Sequence, residues 1–391
     1  GTGVTLPSPY HVPHMFERLT NRRPDPIFSV AAAFREDPRA DKIDLSVGVY
    51  RNSEGETPLM AAVRKAEIEL AFLQTSKSYL GLAGNRSFNQ AMIDLMLGGT
   101  ALHERAVAIQ TPGGSGALRI LADLVKQVRP NARIWISSPT YAYHRPVFEA
   151  AHLAIEEYPY FVPDTHLVDE DAMLAQLGKL EQRDVLVLHG CCHNPTGADI
   201  SLDAWTRIAE LATANGFLPF VDMAYQGFGD GFDEDAAGMH ILENSVEEMI
   251  IATSCSKNFG VYRERTGAAM LIGPTKEKSM NGKQRLLDML VSTYIMPPDH
   301  GAAIVDMILR DADLRAMWLA ELNAMRARIR TLRQRLVEAF RAATGSDRFD
   351  YFTRHRGMFS VTGLSGDQIA TLRDDYGMYL AADGRMNVAG L

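Results

Sequence analysis

The chain has 391 residues, of which 46% are hydrophobic and 23% charged, so its composition is globular and excludes a disordered or fibrous protein. Its 40 basic and 48 acidic residues give a net charge of -8, which is the wrong balance for binding nucleic-acid backbones. No apolar run approaches the length of a membrane span, and the first residues lack the charged-then-apolar order of a secretory signal. The length predicts two or three domains.

The three cysteines, Cys191, Cys192 and Cys255, are an odd number in a long chain, which argues against a disulfide framework. A reducing compartment, the cytoplasm, is therefore expected. Cys191, Cys192 and His193 are adjacent and lack the Cys-x-x-Cys spacing of a zinc site, so no metal is predicted and buried packing is the better interpretation.

Short apolar runs alternate with helical patterns from about residue 106 to residue 272. The predicted strands are AVAIQ (106–110), RIWIS (133–137), LAIEEY (153–158), DVLVLH (184–189), FLPFVD (217–222), MIIATS (249–254) and GAAMLI (267–272), and a helix is predicted at 115–128. Such alternation predicts an α/β fold with a mostly parallel sheet flanked by helices. No helix fits between MIIATS and GAAMLI, so one strand is expected to be antiparallel.

The pattern changes after about residue 300. A long helical region is predicted at 311–343, followed by strand-like DYFTRH (350–355) and GMFSVT (357–362) and by a helix near 366–375. This order predicts a second, smaller α+β domain.

Ligands of parallel sheets bind beyond the carboxyl ends of the strands, so the residues that follow each strand are the candidates for chemistry. The segment TPGGSGALR (111–119) is a glycine-rich turn that leads into a helix, an arrangement that suits a phosphate. Arg119 stands where a dinucleotide fingerprint needs its third glycine, and no Gly-Lys-Ser/Thr follows. The turn alone is therefore ambiguous between a phosphate site and a plain tight turn.

Two charged residues end apolar strands. Asp222 closes FLPFVD, where an acid is costly unless it meets a cation, although a structural cap is the competing interpretation. Lys257 follows MIIATS, and burial there would lower the pKa of its amine toward that of a nucleophile able to form a Schiff base. Ser254 and Arg265 flank it and offer a hydroxyl and a guanidinium to a phosphate. An aldehyde, a phosphate and a basic ring nitrogen are together the features of pyridoxal phosphate, whose pyridinium needs an acid.

At these residues the sequence resembles the aspartate and aromatic amino-acid aminotransferases of fold type I, and the resemblance runs from about Met15 to Leu391. The motifs that carry it are SVGVY, SYLG, TPGGSGALR, HGCCHNPTG, DMAYQGF, SCSKNFG with RERTG, and GRMNVAG. The resemblance implies an N-terminal extension and arm at 1–24, a large cofactor-binding domain at 58–322, and a small domain built from 25–57 and 323–391.

The resemblance also implies roles for the residues of these motifs. Lys257 would hold the cofactor and move the proton between it and the substrate alpha carbon. Asp222 would pair with the pyridine nitrogen, supported by His144, while Asn194 and Tyr225 would bond the ring hydroxyl oxygen. The phosphate would be held by Gly114, Ser115, Ser254, Ser256 and Arg265.

The substrate and the second subunit are also implied by the resemblance. Arg385 would bind the substrate alpha-carboxylate as a bidentate fork, helped by Asn194 and the backbone near Gly48. Tyr79 would reach the phosphate of the other subunit, so the active sites would be shared across a homodimer.

Two departures from the family pattern bear on specificity. In VSTYIMPP, Val291 occupies the place of the arginine that reads a distal carboxylate, and Tyr141 replaces a tryptophan stacked on the cofactor ring. Loss of one partner of such an ion pair costs about 2 to 5 kcal/mol. We therefore expect an aromatic or other uncharged donor, with Val291 and Met296 lining an apolar wall. Aspartate remains the alternative if Arg51 or Arg263 supplies the charge.

Two further alternatives remain at this stage. Lyases, decarboxylases and synthases of the same fold share the lysine and the aspartate, and only amino transfer to the cofactor with production of a 2-oxo acid separates them. A ligand-sensing protein built on an inactive aminotransferase domain is the remote alternative.

Overall fold

The computed structural model describes residues 14–20 and 26–391. Its strands are β1 (Ile43–Asp44), β2 (Ala106–Pro112), β3 (Arg133–Ser138), β4 (Ala154–Pro159), β5 (Phe161–Val162), β6 (Leu167–Val168), β7 (Asp184–His189), β8 (Leu218–Met223), β9 (Met249–Ser254), β10 (Thr266–Ile272), β11 (Phe359–Val361), β12 (Met378–Tyr379) and β13 (Arg385–Asn387).

The α-helices of the same residues are α1 (Pro26–Glu36), α2 (Ala61–Leu73), α3 (Arg86–Leu97), α4 (Gly113–Val128), α5 (His144–Ala150), α6 (Glu170–Leu177), α7 (Leu202–Asn215), α8 (Ala237–Glu243), α9 (Lys276–Leu290), α10 (His300–Arg310), α11 (Ala312–Thr344), α12 (Tyr351–Arg354) and α13 (Gly366–Tyr376). Single 3-10 turns lie at Met15–Arg18, Glu234–Ala236 and Val388–Gly390.

A seven-stranded sheet in the order β2-β10-β9-β8-β7-β3-β4 organises the molecule. Strand β10 pairs antiparallel with both β2 and β9, whereas the other neighbouring pairs are parallel. The predicted fold class, including one antiparallel strand, is therefore confirmed. The strand is antiparallel because the turn between β9 and β10 has no room for a crossover helix.

Side chains alternate between the two faces of this sheet, and each face has its own core. Leu186, Val221 and Ile251 belong to one buried cluster, whereas their strand neighbours Val187 and Phe220 belong to another. Helices cover both faces, so the strands are buried on each side and their sequences are continuously apolar.

A smaller unit packs beside the sheet. Strand β1 pairs in parallel with β12, which joins the beginning and the end of the described chain. A third buried cluster, which includes Leu45, Val337 and Phe352, lies beneath them. The domain boundaries remain a prediction, and most of the expected extension at 1–24 lies outside the described residues.

One predicted strand is wrong. DYFTRH forms the single helical turn α12 rather than a strand, because Tyr351 and Phe352 are both buried although they are adjacent. A strand would point consecutive side chains to opposite faces. Their rings instead stack with centroids 4.5 Å apart.

The described residues bear on two other expectations. The three cysteines are free and buried. No helix within 14–20 and 26–391 combines the length and the apolarity that crossing a bilayer requires.

Candidate active site

Polar side chains from several strand ends line a cavity of about 390 Å³ at the carboxyl edge of the parallel strands. Its lining comprises Val47, Gly114, Ser115, Leu118, Tyr141, His189, Cys191, Asn194, Asp222, Ala224, Tyr225, Ser254, Ser256, Lys257, Tyr262 and Arg265. The cavity thus brings together groups that lie up to about two hundred residues apart in the chain.

Lys257 follows β9 and its side chain faces this cavity. Burial lowers the pKa of its amine to about 8, and the nearby positive charges of Arg265 and Arg385 act in the same direction, while Asp222 opposes them. Its Nζ lies 5.1 Å from the centroid of the Tyr225 ring. A larger fraction of this amine is therefore unprotonated near neutral pH than for an ordinary lysine, which suits attack on a carbonyl.

Asp222, the penultimate residue of β8, is held by a chain of hydrogen bonds. Its Oδ2 lies 2.8 Å from Nε2 of the fully buried His144. Burial alone would raise the pKa of the Asp222 carboxyl, but the hydrogen bond and charge of His144 outweigh burial and lower it. The carboxylate therefore stays ionised and can pair with a cationic ring nitrogen.

Two residues that we did not predict as site residues extend this chain. The Thr140 hydroxyl lies 2.8 Å from His144 Nδ1 and 3.1 Å from His189 Nε2. Burial lowers the pKa of His189 to about 3, so its ring is neutral. His189 is the last residue of a strand, and the same rule of strand ends that identified Asp222 could have identified it.

The glycine turn forms a cationic cradle. Gly113, at φ +72°, begins α4, and a Cβ there would lie 2.5 Å from Nη2 of Arg265. Gly114 faces Ser254, whose side chain a Cβ would approach to 3.1 Å. Arg265 Nη1 donates to the Tyr262 carbonyl at 2.9 Å, and no carboxylate of the described residues pairs with this guanidinium. Backbone amides, the hydroxyls of Ser115, Ser254 and Ser256, and a positive charge without a carboxylate partner suit a phosphate dianion.

Arg385 lies beside the cavity as a buried cation. Its Nη1 donates to Asn194 Oδ1 and its Nη2 to the Ser46 carbonyl, both at 3.2 Å, while Nε has no partner. Its guanidinium carbon lies 4.4 Å above the Phe359 ring. Within the described chain no acid neutralises Arg385, so an incoming carboxylate would find a desolvated, correctly shaped fork.

Asn194 connects this guanidinium to the cavity. Its Nδ2 lies 3.4 Å from the Tyr225 hydroxyl, whose pKa is raised by burial. Tyr141 also lines the cavity, edge-on to His144 at 5.4 Å between centroids, and burial raises the pKa of its hydroxyl to about 12. Both phenols are therefore neutral hydrogen-bonding groups rather than anions.

Besides Arg385, two predicted site residues lie outside the cavity lining. Gly48 packs under the Phe359 ring, where a Cβ would come within 2.9 Å of Cζ, so a side chain there would displace the ring below Arg385. Tyr79 is 90% exposed and contributes nothing to the cavity of its own chain.

The cysteine pair lies at the wall of the cavity, which Cys191 lines and Cys192 does not. The Sγ atoms of Cys191 and Cys192 and a carboxylate oxygen of Asp235 lie within 4.8 Å of one another. That carboxylate already accepts three backbone N–H bonds, from Gly227, Gly229 and Asp230. His193 points elsewhere, to the hydroxyls of Ser137 and Thr196. The cluster is therefore accounted for by packing and backbone hydrogen bonds.

Each functional group of pyridoxal phosphate has a complement in this cavity: an amine of low pKa for the aldehyde, an ionised acid for the ring nitrogen, and a cationic glycine turn for the phosphate. The fold and the site thus define the class of pyridoxal-phosphate enzymes.

Comparison with known proteins narrows the class. The chain belongs to the family described as aminotransferase class I and II, whose sequence pattern matches residues 40–391. It is 44% identical over 379 residues to an aromatic-amino-acid aminotransferase of Pseudomonas aeruginosa, covering 96% of this chain and 95% of that one. It is 41% identical over 380 residues to the aspartate aminotransferase of Escherichia coli, covering 96% of each.

Solved structures agree. An aromatic amino-acid aminotransferase of Burkholderia pseudomallei, covalently bound to pyridoxal phosphate, superposes with a TM-score of 0.94 at 38% identity, over 96% of this chain and 95% of that one. An aromatic amino-acid aminotransferase with 3-indolebutyric acid gives 0.93 at 42% identity, over 96% of each chain. This chain is thus an aminotransferase whose cofactor is pyridoxal phosphate and whose substrates are an amino acid and a 2-oxo acid.

Proposed function

We propose that this enzyme transfers the amino group of an aromatic or other uncharged L-amino acid to a 2-oxo acid. The observation that carries the proposal is Val291, an apolar residue at the position where the resemblance expects a carboxylate-binding arginine. When bound, the cofactor supplies an electron sink that stabilises negative charge at the substrate alpha carbon.

The residues of the cavity would have different roles in the reaction. Lys257 Nζ carries the proton between the substrate alpha carbon and the cofactor, and its lowered pKa lets it take up and release that proton near neutral pH. The carboxylate of Asp222 holds the proton on the ring nitrogen, and His144 keeps that carboxylate ionised and oriented. Asn194 and Tyr225 orient the ring through its hydroxyl oxygen.

The anionic groups would bind at the two ends of the cavity. Gly114, Ser115, Ser254, Ser256 and Arg265 hold the phosphate. Arg385 binds the substrate carboxylate together with Asn194, and the backbone beside Gly48 closes that end. Tyr141 lines the same cavity, where its ring can stack on the cofactor.

The segment of Val291 is apolar, and Val291 itself is 60% exposed and lies outside the cavity lining of its own chain. Ile295 and Met296 follow it in the same segment, and the Leu80 N–H lies 3.1 Å from Met296 Sδ. Arg51, one of the two arginines that could restore the missing charge, is already paired with Asp44 Oδ2 at 2.7 Å. Arg263 is exposed and remains the possible source of charge for the alternative, an aspartate aminotransferase.

The specificity is tested by measuring kcat/KM for phenylalanine, tyrosine and aspartate with a common 2-oxo acid. We expect the aromatic donors to be preferred, and a clear preference for aspartate would overturn the proposal. Both must be assayed, because one structure of an aromatic aminotransferase in the comparison contains aspartic acid. Replacing Lys257 with alanine should abolish turnover with every donor, and retained turnover would contradict the assigned chemistry.

We also propose a homodimer with shared active sites. The loop of Tyr79 and the segment of Val291 touch through Leu80 and Met296, so they form one surface. This surface and the end of α2 carry exposed apolar side chains: Phe72, Leu73, Tyr79, Leu80, Val291 and Ile295. Apolar exposure on this scale is typical of a protein interface.

The cellular location of the enzyme, a reducing compartment such as the cytoplasm, stays a prediction.

Subunit mixing tests the shared site. The variants Lys257→Ala and Tyr79→Ala should each lose most activity, and mixing them should restore part of it. A mixed dimer contains one site that combines an intact Lys257 with an intact Tyr79 from the other chain. If Tyr79 serves its own subunit, or if the chain is a monomer by sedimentation, mixing restores nothing.

A further inference from the structure

A second buried arginine, Arg333 on α11, lies in the smaller unit away from the cavity. It is 2% exposed and donates to the carbonyls of Phe352, Gly357 and Phe359 and to the Ser360 hydroxyl, at 3.1, 2.7, 2.8 and 2.6 Å. No carboxylate of the described residues pairs with it, and burial lowers its pKa to about 9. Burying a charge that only neutral acceptors bind costs desolvation free energy, so stability alone does not explain Arg333. A role in positioning the backbone that it binds is the better explanation.

The donors and acceptors of the hydrogen bonds that connect Arg333 with Ser360, His355 and His166 can be assigned without ambiguity. His355 Nε2 lies 2.7 Å from the His166 carbonyl, which can only accept, so Nε2 carries the hydrogen. Burial lowers the pKa of His355 to about 3, so its ring is neutral and Nδ1 must accept. The Ser360 hydroxyl, 2.9 Å from Nδ1, therefore donates to His355 and accepts from Arg333.

This network ends on the strand that supports Arg385. Ser360 is the middle residue of β11, which pairs antiparallel with β13, and Val361 lies opposite Arg385. Phe359, whose carbonyl Arg333 binds, supplies the ring under the Arg385 guanidinium. The other end of the network is the β5–β6 hairpin, where the His166 ring stacks on Tyr351 with centroids 3.7 Å apart.

We propose that Arg333, Ser360 and His355 form a positioning network that fixes strand β11 and thereby the substrate-binding Arg385. The inference rests on the proposed role of Arg385 in binding the substrate carboxylate. None of the three residues lines the cavity. They hold the backbone and the ring that set the position of the Arg385 fork, and a fork misplaced by a fraction of an ångström loses bidentate geometry.

The test uses the cofactor-loaded enzyme and the variants Ser360→Ala and Arg333→Gln. We expect each to raise KM about tenfold for phenylalanine and for aspartate alike, because the alpha-carboxylate is common to both donors. The bound-cofactor absorbance should stay at the wild-type value. Arg335→Gln is the matched control, since Arg335 is an exposed arginine two residues away on the same helix, and its KM should not change.

A double-mutant cycle separates positioning from general destabilisation. If Ser360 acts through Arg385, adding Ser360→Ala to Arg385→Lys should change KM less than about twofold, since coupled residues are non-additive. If Ser360→Ala raises KM tenfold both in the wild type and in Arg385→Lys, the proposed network is wrong. An unchanged KM in a folded Ser360→Ala variant would also contradict it. If Arg385→Lys itself leaves KM unaltered, the proposed carboxylate site fails instead. If Arg333→Gln does not fold, Ser360→Ala alone is sufficient for the test.

Discussion

Gly113 offers a sharp test of the phosphate cradle. At φ +72° an alanine is strained by about 1 kcal/mol, and its Cβ would lie 2.5 Å from Nη2 of Arg265. The guanidinium must therefore move. Losing one charge-assisted hydrogen bond to the phosphate costs about 1.5 to 3 kcal/mol, which corresponds to roughly ten- to a hundredfold weaker cofactor binding.

The assay is reconstitution of the cofactor-free Gly113→Ala variant with increasing pyridoxal phosphate, followed by bound-cofactor absorbance. Gly55→Ala is the control, since Gly55 has a similar φ of +76° but nothing within 4 Å of a Cβ. Both variants should lose about 1 kcal/mol of unfolding free energy from the backbone, and only Gly113→Ala should bind the cofactor more weakly. Equal cofactor affinity in the two variants would refute the reasoning.

Three further predictions follow from particular contacts. Val291→Arg should raise kcat/KM for aspartate about tenfold or more relative to phenylalanine, and an unchanged ratio would remove Val291 from the specificity argument. Glu243 is buried, and burial raises the pKa of its carboxyl from 4.5 to about 8 against a smaller opposing effect of the Thr100 hydroxyl. The free energy of unfolding should therefore fall as pH rises between those values. Glu243→Gln should remove this pH dependence and raise the free energy of unfolding above pH 8 by about 3 to 5 kcal/mol relative to wild type, as measured by urea unfolding. If the unfolding free energies of the two proteins change in parallel with pH, the prediction is wrong. Trp318→Phe keeps the stack on Phe259 but removes the 2.6 Å hydrogen bond to the Asn258 carbonyl, and should cost about 1 to 2 kcal/mol of unfolding free energy.

The sequence by itself determined the sheet and the central chemistry. Continuous apolar runs mark strands buried on both faces, and the chain leaves each parallel strand at the same edge of the sheet. Asp222 and Lys257, each at or just after such a strand, could therefore be expected to meet, and they line one cavity. The gap between β9 and β10 is too short for a crossover helix, so the sequence also predicts the antiparallel strand.

Outside the strand ends, only the tertiary structure shows which polar residues contact one another. The aromatic residues at Tyr351 and Phe352 favour a strand locally, whereas packing against the small core makes this segment helical. Helix α11 carries many arginines, and its pattern does not reveal that Arg333 alone of them is buried within the described helix. Arg333 is held by acceptors in the segment from Phe352 to Ser360, and His355 of that segment in turn bonds the His166 carbonyl in a hairpin 189 residues away. Only the fold brings partners so distant in sequence together.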